Sequence, residues 1–281
     1  MRIAVTGSSG KLGTVVVREL EAAGYEVIGM DRVGQRGFGF VQVDFTDYGQ
    51  VVDAFTAVGD RHDGIDAVVH LAAIPAPGIQ SDVSTFHNNI AATFNVFWAA
   101  TRLGIRNIVA ASSETVQGLP FDTPPPYIPV DEAYPPRPES TYSLVKVLEE
   151  RMAVELVRWF PDLSLTALRF SNVMWPEDYA EFPSFNDDAT LRKWNLWSYI
   201  DARDGAQAVQ KALEKRILGF NHFLIANADT VMTRPNAELI AEVFPDTPIT
   251  GGFGDNETLF SIDKARELLG FEPQHSWRDH V

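Results

Sequence analysis

Two side chains in the run Tyr142-Ser-Leu-Val-Lys146 could perform acid–base chemistry together. A spacing of four puts both on one helical face, so the ammonium can sit beside the phenol. A free tyrosine, with a pKa near ~10, is too weakly ionised to act as a base at neutral pH. A neighbouring cation favours the phenolate and brings it towards working range. The plainer alternative for such a pair is a surface ion-pair helix. A pair of hydroxyls, Ser112 and Ser113, closes a β-rich run at 106–111. At the carboxyl edge of a parallel sheet, side chains face the ligand crevice. Ser113 could hold a substrate's reacting oxygen there while Tyr142 exchanges its proton.

A second group of residues suits a phosphate-rich ligand. Gly7, Gly10 and Gly13 of TGSSGKLG (6–13) follow a predicted strand and open a predicted helix. The first glycine permits the tight turn, the second lets the backbone approach a pyrophosphate, and the third lets helix and strand pack closely. The helix N-terminus offers free amides and a positive dipole to the phosphates. Asp31 ends the next strand about twenty residues on, where a carboxylate accepts hydrogen bonds from the adenosine ribose. A 2′-phosphate would meet like charge there, which favours NAD, while Arg32 and Lys11 keep NADP open. Asp44, just after a third strand, is placed to meet the adenine amino group or to serve as a turn residue.

The elements that must position these groups alternate along the first two-thirds of the chain, the pattern of a parallel sheet with helices on both faces. Strands are predicted over 2–6, 26–30, 38–43, 66–71, 106–111 and 163–169, and helices over 11–23, 47–58, 84–103 and 141–159. Gly24 and Gly104 fall where helix C-caps belong. Residues 119–138 hold eight prolines in twenty positions, which predicts an extended loop. An irregular stretch over 173–197 carries Trp175, Trp194 and Trp197. Beyond it a helix near 202–217, a strand near 222–226 and helices near 235–244 and 261–269 are expected. The fold class is therefore α/β, a doubly wound parallel sheet (Rossmann fold) with a small C-terminal substrate-binding lobe. The dinucleotide-binding domain is assigned to 1–170 with 199–226 returning to it, and the lobe to 171–198 and 227–281.

Composition narrows the function further. The 281 residues carry 23 basic and 38 acidic side chains, a net charge of −15 that repels nucleic acid and anionic lipid. There is no cysteine, which excludes disulfides and thiol catalysis. The six histidines (62, 70, 87, 222, 275, 280) show no metal-ligand spacing, so no metal is expected. The first strand begins at once without a secretory leader, and no apolar run approaches the ~18 residues of a membrane span. A cytoplasmic protein with no membrane partner is the expectation.

Taken together, these motifs resemble the extended short-chain dehydrogenase/reductase superfamily, in its NAD-dependent epimerase/dehydratase branch. The carriers are TGSSGKLG, Asp31, Asp44, HLAA at 70–73, NNIAAT at 88–93, ASSETVQG at 111–118, YSLVK at 142–146, LRFSNV at 168–173 and YIDARDGAQA at 199–208. The resemblance implies that Ser113 and Tyr142 are catalytic, Tyr142 as the general acid/base. Lys146 would bind the nicotinamide ribose and lower the tyrosine's pKa, and Asn89 would support the network. Ala72 and Ala73 would meet the cofactor through backbone, and His70 would be packed structure. The implied NAD site is completed by Ser9, Leu12, Phe45, Leu71, Ala111, Ser112 and Phe170, with Asn89, Tyr142 and Lys146 shared between cofactor and chemistry.

Departures from the family pattern bear on the substrate. Gln117 stands where epimerases carry tyrosine, and Glu114-Thr115 after Ser113 argues against dehydration. The segment between Asn172 and Tyr199 is short and lacks an obvious basic pocket for a diphosphate. That compactness resembles uronate dehydrogenases, in which an arginine five residues before a tryptophan grips the substrate carboxylate. Arg192 precedes Trp197 by five, and a guanidinium suits a carboxylate. It could equally bind phosphate or be a solvated helix-end charge. The expected substrate side is Ile74, Pro75, Ser113, Glu114, Asn172 and Arg192.

The leading expectation is an NAD-dependent sugar or sugar-acid dehydrogenase. The alternatives are a nucleotide-sugar 4-epimerase with tightly held NAD and a non-catalytic cofactor sensor. A homodimer through the helices near 84–103 and 141–159 is also implied, with Val145, Leu148, Met152 and Leu156 facing either the partner or the chain's own core.

Overall fold

The computed structural model describes residues 1–34, 39–56 and 63–280. The expected start of the third strand at Phe38, residues 57–58 of the second helix, and His62 lie outside the described residues. In chain order the elements are β1 (Arg2–Thr6), α1 (Lys11–Ala22), β2 (Glu26–Asp31), β3 (Phe40–Gln42), α2 (Tyr48–Thr56), β4 (Ala67–His70), α3 (Asp82–Arg102), β5 (Asn107–Ser113), α4 (Thr141–Trp159) and β6 (Ser164–Phe170). There follow β7 (Val173–Met174), β8 (Ile200–Asp201), α5 (Ala202–Lys215), β9 (Gly219–Ile225), α6 (Asn236–Val243) and α7 (Asp263–Leu269). Seven strands form one parallel sheet in the order β3-β2-β1-β4-β5-β6-β9.

Alternation along the strands builds two cores. Ile3, Val5, Val69, Val109 and Leu168 face the layer of α1, α5 and α7; Ala4, Val68, Ile108 and Leu165 face the layer of α2, α3 and α4. The chain reverses direction across the sheet between β1 and β4. Two adjacent strands there send their following loops to opposite faces, which opens a crevice at their carboxyl ends. The turn after β1 and the segment Leu71–Ala73 after β4 border that crevice.

Two segments hold more order than the sequence suggests. The stretch expected to be irregular contains β7, paired with β8 as a separate two-stranded sheet, and 3-10 helix over Pro176–Asp187 and Ala189–Asn195. Strands of two residues fall below any periodic signal. The proline-rich segment is indeed extended, and it is strapped to the chain after α6. Ile128 N donates to Pro248 O and Val130 N to Leu259 O, both at 2.9 Å, while Ser261 N donates to Val130 O at 2.8 Å. Leu119, Phe121, Ile128 and Val130 are buried beneath it.

Helix α4 is anchored at its first turn and at its middle. Ser140 caps it in a reciprocal capping box with Ser143. Glu150 reaches β6, accepting from Arg169 Nε (2.9 Å) and Nη2 (2.7 Å), and also accepts from Ser112 Oγ at 2.6 Å. Both partners of this ion pair are buried. Removing one strands the other, so Arg169→Leu is expected to lower the unfolding free energy by about 3–5 kcal/mol in denaturant titration. A loss below about 1 kcal/mol would show that α4 is held by packing alone. Val145 and Leu156 are buried in the chain's own core, whereas Leu148 is exposed and Met152 half-buried.

Candidate active site

The glycine turn is a backbone cradle with no room for side chains. Gly7 has φ +70°, and a Cβ there would lie 2.6 Å from Ala72 N; a Cβ on Gly13 would lie 2.0 Å from Gly7 O. Gly10 is the N-cap of α1 with no side chain to satisfy the first amides, which leaves them for a ligand's phosphates.

Asp31 accepts from Ser9 N at 3.0 Å and Arg32 N at 2.7 Å, which aims its carboxylate along the turn. Lys11 is engaged by Asp178 at 2.5 Å and lies over the Trp175 ring. Arg32 reaches Asn88 Oδ1 at 3.4 Å. Asp44 accepts from Thr46 Oγ1 (2.7 Å) and N (3.0 Å), hydrogen bonds that hold its carboxyl below the ordinary range.

Ser113, Tyr142 and Lys146 meet where β5 ends against α4. Lys146 Nζ donates to Ala111 O at 3.0 Å and to Glu149 Oε2 at 2.8 Å, and sits 5.9 Å from the centre of the Tyr142 ring. Burial pushes the Tyr142 phenol above its ordinary value, while Lys146 and a hydrogen bond with Ser113 pull the other way. Ser113 Oγ also accepts from Thr115 N and Oγ1. Asn89 does not line the cavity. Fully buried, it braces the backbone of Ile74, donating to its carbonyl at 3.0 Å and accepting from its amide at 2.8 Å. His70 is buried between Thr6 and Thr93, and burial pushes its pKa down to about 3, which keeps it neutral.

A single cavity of about 890 Å³ joins these parts. It runs from Asp31, Asp44 and Phe45 past Ser9, Lys11, Leu12 and the three glycines, then along Leu71–Ala73 and Ala111–Ser113 to Tyr142, Lys146 and Phe170. Its far end is lined by Ile74, Pro75, Glu114, Thr115, Ser171, Asn172 and Trp194. Among the described residues the lining cations are Lys11, Arg32 and Lys146, and none belongs to this far end.

Arg192 is not in the lining. Its guanidinium lies against the Phe185 and Trp194 rings, with Nη2 donating to Ser198 O at 2.9 Å, and burial lowers its pKa to about 10. Glu114 is in the lining and deeply buried; it accepts from Ser171 Oγ at 2.6 Å and Asn195 Nδ2 at 3.2 Å, and burial pushes it up to about 8. The sequence reading omitted Thr115, Ser171, Asn195, Trp194 and Glu149. The last could have been found, since three residues beyond Lys146 is a neighbouring position on a helix. Among the described residues no group of three or more metal-ligating side chains converges, and no helix is long and apolar enough to cross a membrane.

The sequence profile of the NAD dependent epimerase/dehydratase family matches residues 3–226. L-arabinose 1-dehydrogenase (NAD(P)(+)) of Haloferax volcanii is 30% identical over 76% of this chain and 82% of its own length. UDP-glucose 4-epimerase of Lactobacillus helveticus is 26% identical over 100% of this chain and 94% of its own. A solved UDP-galactose 4-epimerase superposes with a TM-score of 0.68 at 27% identity, covering 98% of this chain and 94% of its own.

Proposed function

The chain belongs to the NAD-dependent epimerase/dehydratase family, and from that footing we propose that it oxidises a free, neutral aldose with NAD, using Ser113, Tyr142 and Lys146. The observation that carries this reading is the far end of the cavity, which among the described residues presents Glu114, Thr115, Ser171, Asn172 and Trp194 but no lysine or arginine. A nucleotide sugar brings a diphosphate that needs cationic partners. A uronate carboxylate would lack its expected guanidinium partner there, with Arg192 outside the lining. Hydroxyls of a neutral sugar suit the donors and acceptors that are present, and Trp194 offers a ring face. The arabinose dehydrogenase relative supports the same class.

The residues fit NAD: a turn that a Cβ would fill, an acid for the adenosine ribose and open helix amides for the pyrophosphate. When bound, NAD would supply a hydride acceptor and a positive charge that favours the Tyr142 phenolate. Ser113 orients the reacting hydroxyl and Tyr142, as phenolate, takes its proton. Lys146 stabilises the phenolate and directs its remaining N–H into the cavity. Oxidation at an anomeric hydroxyl yields a lactone.

The test is NADH formation across three panels: neutral aldoses, uronates and UDP-sugars. Turnover of aldoses with little response to the others is expected. Oxidation of uronates in preference would return Arg192 to the substrate. A second reading, a 4-epimerase, draws on the Lactobacillus helveticus relative matched along the whole chain. It requires UDP-sugar turnover without NADH release. A homodimer through α3 and α4 is supported by the exposed Val83, Phe94, Leu144 and Leu148 on those helices.

A further inference from the structure

Glu149 has no part in the chemistry above, yet its carboxylate is buried against the lysine that does. One oxygen accepts from Lys146 Nζ at 2.8 Å and the other from Thr93 Oγ1 at 2.9 Å. Behind Thr93 the chain of hydrogen bonds continues to His70 Nε2 (3.0 Å), and from His70 Nδ1 to Thr6 Oγ1 (2.8 Å). Thr6 Oγ1 accepts from the amides of Leu71 and Ala72, each at 3.2 Å.

Donor and acceptor capacity fixes the direction of this chain. With two amides donating to it, the Thr6 hydroxyl gives its own proton to His70 Nδ1. The neutral imidazole then carries its hydrogen on Nε2 and donates it to Thr93, which donates to Glu149. The reverse order would leave the Thr6 proton without an acceptor. Both Glu149 oxygens therefore accept, as those of a carboxylate do, with Lys146 and Thr93 working against the burial that raises its pKa. The chain links three elements, β1, β4 and α3, to the catalytic helix, and its far end is the backbone bordering the glycine turn. Lys146 spends one N–H on Ala111 O and one on Glu149, leaving one for the cavity.

We propose that Glu149 is a positioning residue for the Tyr142–Lys146 pair: its carboxylate fixes the Lys146 ammonium in place, and its charge offsets the charge that Lys146 presents to Tyr142. The other groups facing the pair are few. Glu150 is neutralised by Arg169, with His222 of β9 beside it and neutral; Glu114 approaches from the end of β5; and His70 of β4 is neutral. Burial alone would lower Lys146, but Glu149 more than any other group lifts it above its ordinary value, and Glu149 also raises Tyr142.

The inference rests on Tyr142 being the base, and its test is separable from that assignment. Glu149→Gln keeps the shape and removes the charge, and it keeps one of the two accepted hydrogen bonds, because an amide has a single acceptor oxygen. Tyr142 and Lys146 titrate as a coupled pair, so the first proton leaves at lower pH whichever of them gives it up. The rising limb of kcat/KM for NAD reduction is expected to move down by about one to three pH units, with Glu149→Asp keeping the wild-type limb at a lower rate. A readout without cofactor is the ultraviolet titration of tyrosinate in the apoprotein, with Tyr142→Phe as reference. Wild-type Tyr142 should ionise at or above the ordinary value of about 10. Ionisation well below that in the wild type overturns the proposal even if Glu149→Gln fails to fold, and so does an unmoved limb in a folded Glu149→Gln. Turnover surviving in Tyr142→Phe would instead overturn the base assignment.

Discussion

Tyr142→Phe is expected to lose about 100- to 10,000-fold in kcat/KM while keeping NAD affinity within a few-fold of wild type. The substitution is close to a deletion of one atom. The ring is buried among groups that stay in place, and the Lys146 ammonium 5.9 Å from its centre faces a phenylalanine as readily as a tyrosine. Lys146 keeps Ala111 and Glu149 as partners, and Ser113 keeps Thr115. What disappears is the phenol that would exchange a proton with a substrate hydroxyl held by Ser113. Glu114, the other titratable group in reach, accepts from Ser171 and Asn195 on the far side of Ser113. Steady-state kinetics with the active aldose, beside fluorescence titration with NAD, separates chemistry from binding. Retention of more than about a tenth of wild-type turnover, outside the span a lost general base produces, would remove Tyr142 from the mechanism.

The second large effect lies at the other end of the cavity. Gly13→Ala places a methyl 2.0 Å from Gly7 O and 2.9 Å from both Gly7 C and Ser8 Cα. All three are backbone atoms of the turn itself, so no rotamer change relieves the clash. Either α1 lifts from β1 or the turn opens, and in both cases the amides lose their common aim. NAD affinity is expected to fall more than about 100-fold, roughly 2.7 kcal/mol, with a lower melting temperature. Gly252→Ala is the control, because a Cβ there meets nothing within 4 Å. Equal behaviour of the two variants in calorimetric titration with NAD would show that the turn is not the pyrophosphate site.

Local spacing made part of this site legible in the sequence. Gly7, Gly10 and Gly13 lie within one strand-to-helix turn, and Tyr142 and Lys146 lie one helical turn apart, so each set is positioned by a single element. Asp31 needed only the next strand. The alternation of short β-rich runs with longer helical stretches announced helices on both faces of a parallel sheet, which suffices for a doubly wound fold. Features built from several elements were hidden. The Glu149–Thr93–His70–Thr6 chain draws on α4, α3, β4 and β1, and no spacing along the chain announces it. Arg192 had the right type and offset for a carboxylate ligand, but its direction depends on Phe185, Trp194 and the Ser198 carbonyl. The strap formed by the proline-rich segment was invisible because its partners are residues 248–261, more than a hundred positions away.

The most direct test of the account is product stoichiometry: sugar consumed, NADH formed and product mass, measured together with a neutral aldose and NAD. The account predicts equimolar NADH and a product two hydrogens lighter than the sugar, or its hydrolysed acid. A UDP-sugar converted to its epimer at unchanged mass, with no NADH and no aldose oxidised, would contradict it.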